Sequence, residues 1–312
     1  MNIKYQVGFL KLGKIVSKKT YFIFALFFII SSLFAQGQKK FSSLDFGLYL
    51  GGSNYWGDMT KDYQPLWGKT KLAGGLICRY NVWPYLSFKG TAIYGKIEGS
   101  DKNFSSDPYR KRRNLSFKSD IIEFSIQGEW NIRGFENTRS TYGWSPYLFG
   151  GISVFRFNPK AKFTYIAGIH DPSLQAQDRD WIELQPLGTE GQETTKFNDK
   201  RRYSLTQLSI PFGVGAKWQL DDHWTIGLEF GVRKTFTDYL DDVSSVYVDD
   251  IIVGGASGPM AVALKDRSLE LGETKFENND PRGNAKVKDW YLIGGVTVTY
   301  RIMGGKQPCF NF

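Results

Sequence analysis

Histidine and cysteine are nearly absent. The 312-residue chain holds two of each. Two cysteines, Cys78 and Cys309, exclude a disulfide-stapled scaffold and leave no Cys/His zinc pattern. His170 and His223 leave little room for acid–base or nucleophilic chemistry, which calls for a histidine beside a placed Ser, Cys or Asp. Beyond residues 21–30 no second apolar 20-mer appears, which fits β structure better than a helical membrane protein. Helix-period amphipathic segments are equally scarce. What the chain has instead is 34 glycines and 16% aromatic residues, a composition suited to β structure.

The N-terminus reads as an export signal. Lys4, Lys11, Lys14, Lys18 and Lys19 precede the apolar run 21–30, and Leu33, Phe34 and Ala35 before Gln36 suit cleavage at Ala35/Gln36. Loss of those five lysines brings the formal charge from +9 to +4, so the basic balance is weak grounds for a nucleic-acid partner and none is expected.

Residues 209–236 show the chain's organisation most clearly. Ile210, Phe212, Val214, Ala216, Trp218 and Leu220 alternate with Ser209, Gly213, Gly215, Lys217 and Gln219. After Asp221, Asp222 and His223 the alternation resumes with Trp224, Ile226, Leu228, Phe230 and Val232. Period-2 alternation around a short polar break is a hairpin. Arms of about 11 residues tilted near 40° climb roughly 28 Å, which matches the ~25 Å apolar band of an outer-membrane barrel.

The pattern recurs. Strands are predicted at 44–50, with a glycine-rich exit at 51–58, and at 71–80, with Leu72, Leu76, Cys78 and Tyr80 on one face. Further strands follow at 86–94, at 122–132 with Glu123, Ser125, Gln127, Glu129 and Asn131 opposite the apolar set, at 145–157, and at 289–302. Strand 145–157 is apolar on both faces and its register is unassigned. Short turns at 81–84, 134–143 and 221–223 alternate with longer segments, including a basic loop at 99–116 and two long ones at 158–202 and 237–288. That asymmetry belongs to outer-membrane barrels. A lipocalin also has eight strands, but its interior is apolar around a ligand, whereas here Lys89, Glu123, Glu129, Lys217, Glu229, Arg233 and Arg301 face inward. The fold expected is all-β: an eight-stranded antiparallel transmembrane β-barrel of the outer membrane, with short periplasmic turns and long extracellular loops. A lumen that narrow is filled by side chains, so no pore is expected. The expected layout is a signal peptide at 1–35, a periplasmic lead at 36–43, the barrel at 44–302 and a periplasmic tail at 303–312.

Candidate sites are few. The glycine-rich segment 51–58 lacks the spacer and Lys-Ser/Thr of a phosphate loop, so it reads as a bend at the rim, shaped by Asn54 and Asp58. Asp238, Asp241, Asp242, Asp249 and Asp250 form an acidic run that reads as a solvated loop, with Ca²⁺ binding as the alternative. No catalytic residue, metal or cofactor is expected; a lipid-modifying enzyme would have to use His170. Either Tyr300 or Phe312 supplies the terminal aromatic used in barrel assembly.

Two stretches carry a resemblance. Residues 46–58, FGLYLGGSNYWGD, and residues 294–301, GGVTVTYR, with a tail ending CFNF, resemble the PorG-like outer-membrane barrels of the Bacteroidetes type IX secretion and gliding machinery. The resemblance implies a non-enzymatic barrel, seated in outer-membrane lipid, that anchors a periplasmic ring built from a lipoprotein and a partner protein. The docking face would then comprise Asn81, Trp83 and Pro84, Asp221, Asp222 and His223, and Cys309, Phe310 and Phe312 of the tail. Cys309 is open to three states: a disulfide to the ring partner, a bridge to Cys78, or a free thiol. A free-standing OmpA-like or OmpW-like barrel, structural or passing small molecules, is the alternative.

Overall fold

The structure, a computed structural model, describes residues 43–60, 70–103, 107–135, 143–194 and 200–304. The expected signal with Ala35 and Gln36, and the tail with Cys309, Phe310 and Phe312, lie outside the described residues.

Eight long strands form a closed antiparallel ring. They are β1 (Ser43–Trp56), β2 (Lys71–Trp83), β3 (Leu86–Ser100), β4 (Ser116–Asn131), β5 (Trp144–Lys162), β7 (Thr206–Gln219), β8 (Trp224–Thr235) and β9 (Trp290–Gly304). A three-residue strand, β6 (Trp181–Glu183), adds to the upper end of β5. Each strand pairs with the next, and β9 pairs with β1 to close the barrel. Among the described residues no helix is long and apolar enough to cross a membrane; the crossing elements are strands.

Alternation sorts the residues by environment. Outward positions expose Leu72 (82%), Leu50 (68%), Ile126 (68%) and Ile152 (69%). A band of that kind around a whole barrel has no place in water. Aromatic rings bound it on both sides. Trp130, Trp144, Trp218, Trp224 and Tyr300 lie toward the short turns, with Trp144 paired to Trp218 and Trp224 to Tyr300. Trp56, paired with Trp290, lies at the other end. These are the girdles of a membrane-spanning barrel.

Four strands run further toward the long segments than the sequence suggested, β4 among them, which begins at Ser116. β1 continues through its glycines to Trp56, with Gly51 opposite Gly295 and Gly52 opposite Gly294. The segment is therefore strand and not a rim bend. A Cβ on Gly51 would stand 2.2 Å from the Gly294 carbonyl oxygen, so this seam excludes a side chain. β3 reaches Ser100, and β5 reaches Lys162, well inside the expected loop 158–202. Both continue because the long segments fold down and pack on them. Residues 99–116 hold a helix, α1 (Pro108–Arg113), capped by Asp107, where a basic loop was expected. Residues 236–289 contain α2 (Asp250–Ser257) and α3 (Pro259–Lys265). Leu240, Val243, Met260 and Leu264 from that segment join Phe163, Leu174 and Leu184 and the barrel residues Ile97, Phe117, Phe155, Phe157 and Tyr291 in one core. The long segments form a packed cap over that mouth.

Candidate functional site

Below the cap the lumen is ionic. Glu129 on β4 accepts two hydrogen bonds from the Arg79 guanidinium of β2, from Nε at 2.9 Å and Nη2 at 3.1 Å. Lys217 of β7 reaches Glu129 Oε2 at 3.1 Å and Lys89 of β3 reaches Oε1 at 3.2 Å. Lys89 also donates to both oxygens of Glu229 on β8 at 2.8 Å, and Tyr147 of β5 donates to Glu229 at 2.6 Å. Three cations thus meet two carboxylates, all but sealed from solvent. Aromatic faces take up the surplus positive charge: Lys89 Nζ lies 4.4 Å from the Phe149 ring centre and Lys217 Nζ 4.9 Å from that of Phe135.

A second layer, toward the cap, pairs Arg233 with Glu123 at 3.2 Å, and Tyr291 donates to Glu123 at 2.6 Å. A third, toward the short turns, pairs Arg301 with Asp45 at 3.0 Å. All seven charged residues expected inside are inside. Arg79 and Asp45 complete the set and were not in it.

The short-turn end divides the expected docking residues. Asn81 is not presented outward. Its amide donates to Asp45 at 2.6 Å and to Ser43 at 2.9 Å and accepts from Ser87, so it closes the lumen floor. Its position on β2 follows Arg79 by two, which turns it inward. Pro84 is buried, its carbonyl taken by Phe135 N–H at 2.7 Å and by Asn131 Nδ2 at 3.0 Å. Trp83 is half-buried, and Tyr85 two residues on is 48% exposed, a residue not among the candidates. Asp221, Asp222 and His223 are exposed. Asp221 accepts from the backbone N–H of His223 at 2.8 Å and of Trp224 at 2.7 Å, a turn fixed by its own side chain. Those bonds hold its carboxyl below the usual range. The His223 ring stacks on Tyr300 at 5.4 Å. Cys78 faces outward on the belt as a free thiol.

His170 sits in the cap. Its Nδ1 accepts from the Ile166 N–H at 3.1 Å, and partial burial against Phe163 and Tyr165 lowers its basicity. The ring closes a turn, and the nearby Ser173 hydroxyl is committed to Asp171 at 2.6 Å.

The acidic run departs most from expectation. Asp249 and Asp250 lie at the surface, but Asp238, Asp241 and Asp242 are buried. The Tyr55 hydroxyl lies 2.7 Å from Asp241 and 3.0 Å from Asp289. One phenolic proton cannot serve two buried carboxylates. Burial, and then the neighbouring Asp58 and Asp241 charges respectively, push Asp241 and Asp289 well above the usual carboxylate range. Burial likewise pushes Asp238 up to about 7. It pushes Asp242 up to about 6 against the pull of Arg282 and the hydroxyls of Thr189 and Tyr203. Glu190 differs. Burial opposes its charge too, but Arg282 at 3.1 Å, Ser245 and Lys200 hold it below the usual range. Among the described residues no three His, Cys, Asp or Glu side chains converge to hold a metal. Asp241, Asp242 and Glu190 tie loops 188–194 and 237–245 to β1 and Arg282, and act as cap struts.

A family model described as a domain of unknown function (DUF6089) matches residues 19–172. No curated protein matches the sequence. Solved structures similar to the chain include three outer-surface proteins. Ail, the attachment invasion locus protein of Yersinia pestis, is 10% identical with a TM-score of 0.34, covering 85% of this chain and 100% of that one. Neisserial surface protein A is 7% identical at 0.35, covering 86% and 100%. The outer membrane protein OprG of Pseudomonas aeruginosa is 11% identical at 0.33, covering 86% and 98%. At such values the assignment of this barrel rests on its own pairing and belt.

Proposed function

We propose that the protein is a non-enzymatic outer-membrane barrel that anchors a periplasmic ring of a type IX secretion or gliding machinery through its short-turn face. The carrying observation is the lumen. Layers of ion pairs and buried aromatics fill it from Asp45 to Tyr291, which favours a protein that works through its surfaces over one that conducts or encloses a ligand. The short-turn end supports docking. Its turns are held by their own hydrogen bonds, and Trp83, Tyr85, Asp221, Asp222 and His223 stand out from a rigid rim. A preformed surface loses little order on association. The resemblance supports the identity of the partner, and its two stretches are neighbours: residues 46–56 of β1 pair along β9 with Tyr300 to Trp290.

The test is recovery of the tagged barrel from outer membranes in mild detergent, with and without reductant and with Cys309→Ser. Co-recovery of a lipoprotein and a periplasmic protein is expected, lost on Asp222→Arg/His223→Glu. Loss with reductant or with Cys309→Ser would locate Cys309 in the contact. A barrel recovered alone would overturn the anchoring role and leave a free-standing structural barrel.

A further inference from the structure

We propose that the wall formed by β3, β4 and β5 binds a phosphorylated, multiply acylated lipid of the outer leaflet, its phosphates on a lysine and arginine cluster above the belt and its acyl chains in an apolar groove beneath. This rests on the membrane-spanning reading of the barrel and is independent of the periplasmic partner.

Register builds the cluster. Lys96 on β3, Lys118 on β4, and Arg156, Lys160 and Lys162 on β5 occupy outward positions on the cap side of Tyr94, Ile122 and Val154, the last large apolar groups of the belt on those strands. Lys118 lies directly opposite Lys160. Lys162 lies opposite Trp181 of β6, whose ring carries the Lys118 ammonium 3.3 Å from its centre. Like charges facing each other across a sheet are destabilising, so the pairing is costly unless an anion spans it. The acids nearby are fewer than the five cations. Asp120 lies 3.9 Å from Lys96, Glu183 2.9 Å from Lys160, and Glu98, opposite Lys118 on β3, is taken by Lys71 at 2.9 Å. Among the described residues Lys118, Arg156 and Lys162 have no ion-pair partner.

The groove crosses the same strands and is bounded further round by Phe46 of β1, Leu76 of β2 and Leu208 of β7. Gly90 and Ala92 of β3 interrupt the belt, and Leu76, Phe124, Ile126 and Val154 wall a recess of about 580 Å³ with almost no polar lining. Sheet packing does not impose this gap. A Cβ on Gly90 would meet nothing nearer than the Cys78 carbonyl oxygen at 3.9 Å, whereas one on Gly75 would collide with the Ala92 oxygen at 2.2 Å. From Ala92 to Lys96 is four residues, about 13 Å along the strand. That places the recess at acyl-chain depth directly below the cations. Paired cations at the interface over an apolar slot fit an amphiphile with phosphates on its headgroup. A soluble phosphate would use the cations alone, and a protein partner outside the membrane would not reach the slot.

The test uses the full-length barrel folded in detergent, with bound species counted by native mass spectrometry. The probes are bisphosphorylated hexa-acyl lipid A, its dephosphorylated counterpart and inorganic pyrophosphate. Lipid A should be retained best. Lys118→Glu/Lys160→Glu should weaken its retention about tenfold or more, since each basic group near an anionic surface contributes measurably. Gly90→Phe, which fills the slot, should weaken lipid A and leave pyrophosphate unchanged. Lys118→Gln serves if the double reversal does not fold, and heat-dependent gel mobility checks folding for every form. Retention of lipid A by all variants at the wild-type level would overturn the proposal, as would pyrophosphate binding as tightly as lipid A. A wild-type chain with no heat-dependent mobility would instead refute the membrane-spanning reading.

Discussion

Glu129→Gln is the substitution that tests the lumen. Glu129 answers three cations at 2.9 to 3.2 Å: Arg79, Lys217 and Lys89. Neutralising it leaves Arg79 and Lys89 to share Glu229 and Lys217 with no carboxylate at ion-pair distance among the described residues, with no water layer to screen them. Breaking a buried pair by removing one partner costs about 3–5 kcal/mol, chiefly because the abandoned charges stay buried. An exposed pair behaves differently. Glu193 and Arg202, 3.4 Å apart and partly solvated, should give about 0–1 kcal/mol when Glu193→Gln is made. The assay is reversible urea unfolding in lipid vesicles, followed by tryptophan emission and by gel mobility. Glu129→Gln should lower the unfolding free energy by the larger amount. Glu129→Gln/Lys217→Met should recover part of it, because one surplus cation is withdrawn. A Glu129→Gln loss below about 1 kcal/mol would refute the dry ionic plug and mean that water reaches these groups.

Two further outcomes follow from the same interior. In planar bilayers the wild-type barrel should give no single-channel steps, and regular steps would contradict a filled lumen. The cap should be more protected against hydrogen exchange at pH 5 than at pH 8, after correction for intrinsic rates. Asp238, at about 7, and Asp242, at about 6, stand above the ~3.9 of a free aspartate, so the folded cap binds protons more tightly than the open one. Stability is full below about pH 4 and falls as pH rises through 6 to 7. Asp238→Asn should flatten the profile, and equal protection at both values would be the contrary result.

The sequence revealed the fold wherever the two faces of a strand meet opposite media. β4, β7 and β8 alternate cleanly because lipid lies on one side and an ionic lumen on the other. β5 was ambiguous for a physical reason. Its outward Ile152 and Val154 face lipid while its inward Phe155 and Phe157 enter the cap core, so both faces are apolar. Arg79 escaped notice because the inward positions before it on β2 are Ala73, Gly75 and Ile77, which give no polar stripe to extend. The acidic run looked solvated because periodicity says nothing of burial outside regular elements. What buries Asp241 and Asp242 comes from afar: Tyr55 lies 186 positions away and Arg282 forty. A place near a turn does not distinguish Asn81, facing in, from His223, facing out.

The two ends of the barrel use opposite means to the same effect. Toward the short turns, charge is held inside by ion pairs whose geometry the strands fix, with the surplus cation against aromatic faces, and the floor is closed by Asn81, Ser43 and Ser87. Toward the long segments the ionic layers give way to an apolar core that continues into the cap, with Arg282 and Glu190 binding its loops. Among the described residues the interior is filled by ion pairs and buried rings from Asp45 to Tyr291, and a closed ring offers a partner strand no edge. Recognition is therefore confined to the outer surfaces. The lipid-facing wall is apolar, with a groove across β3 to β5 under a cluster of cations that outnumber the acids beside them. The short-turn rim is the narrow face where ordered polar and aromatic side chains project together.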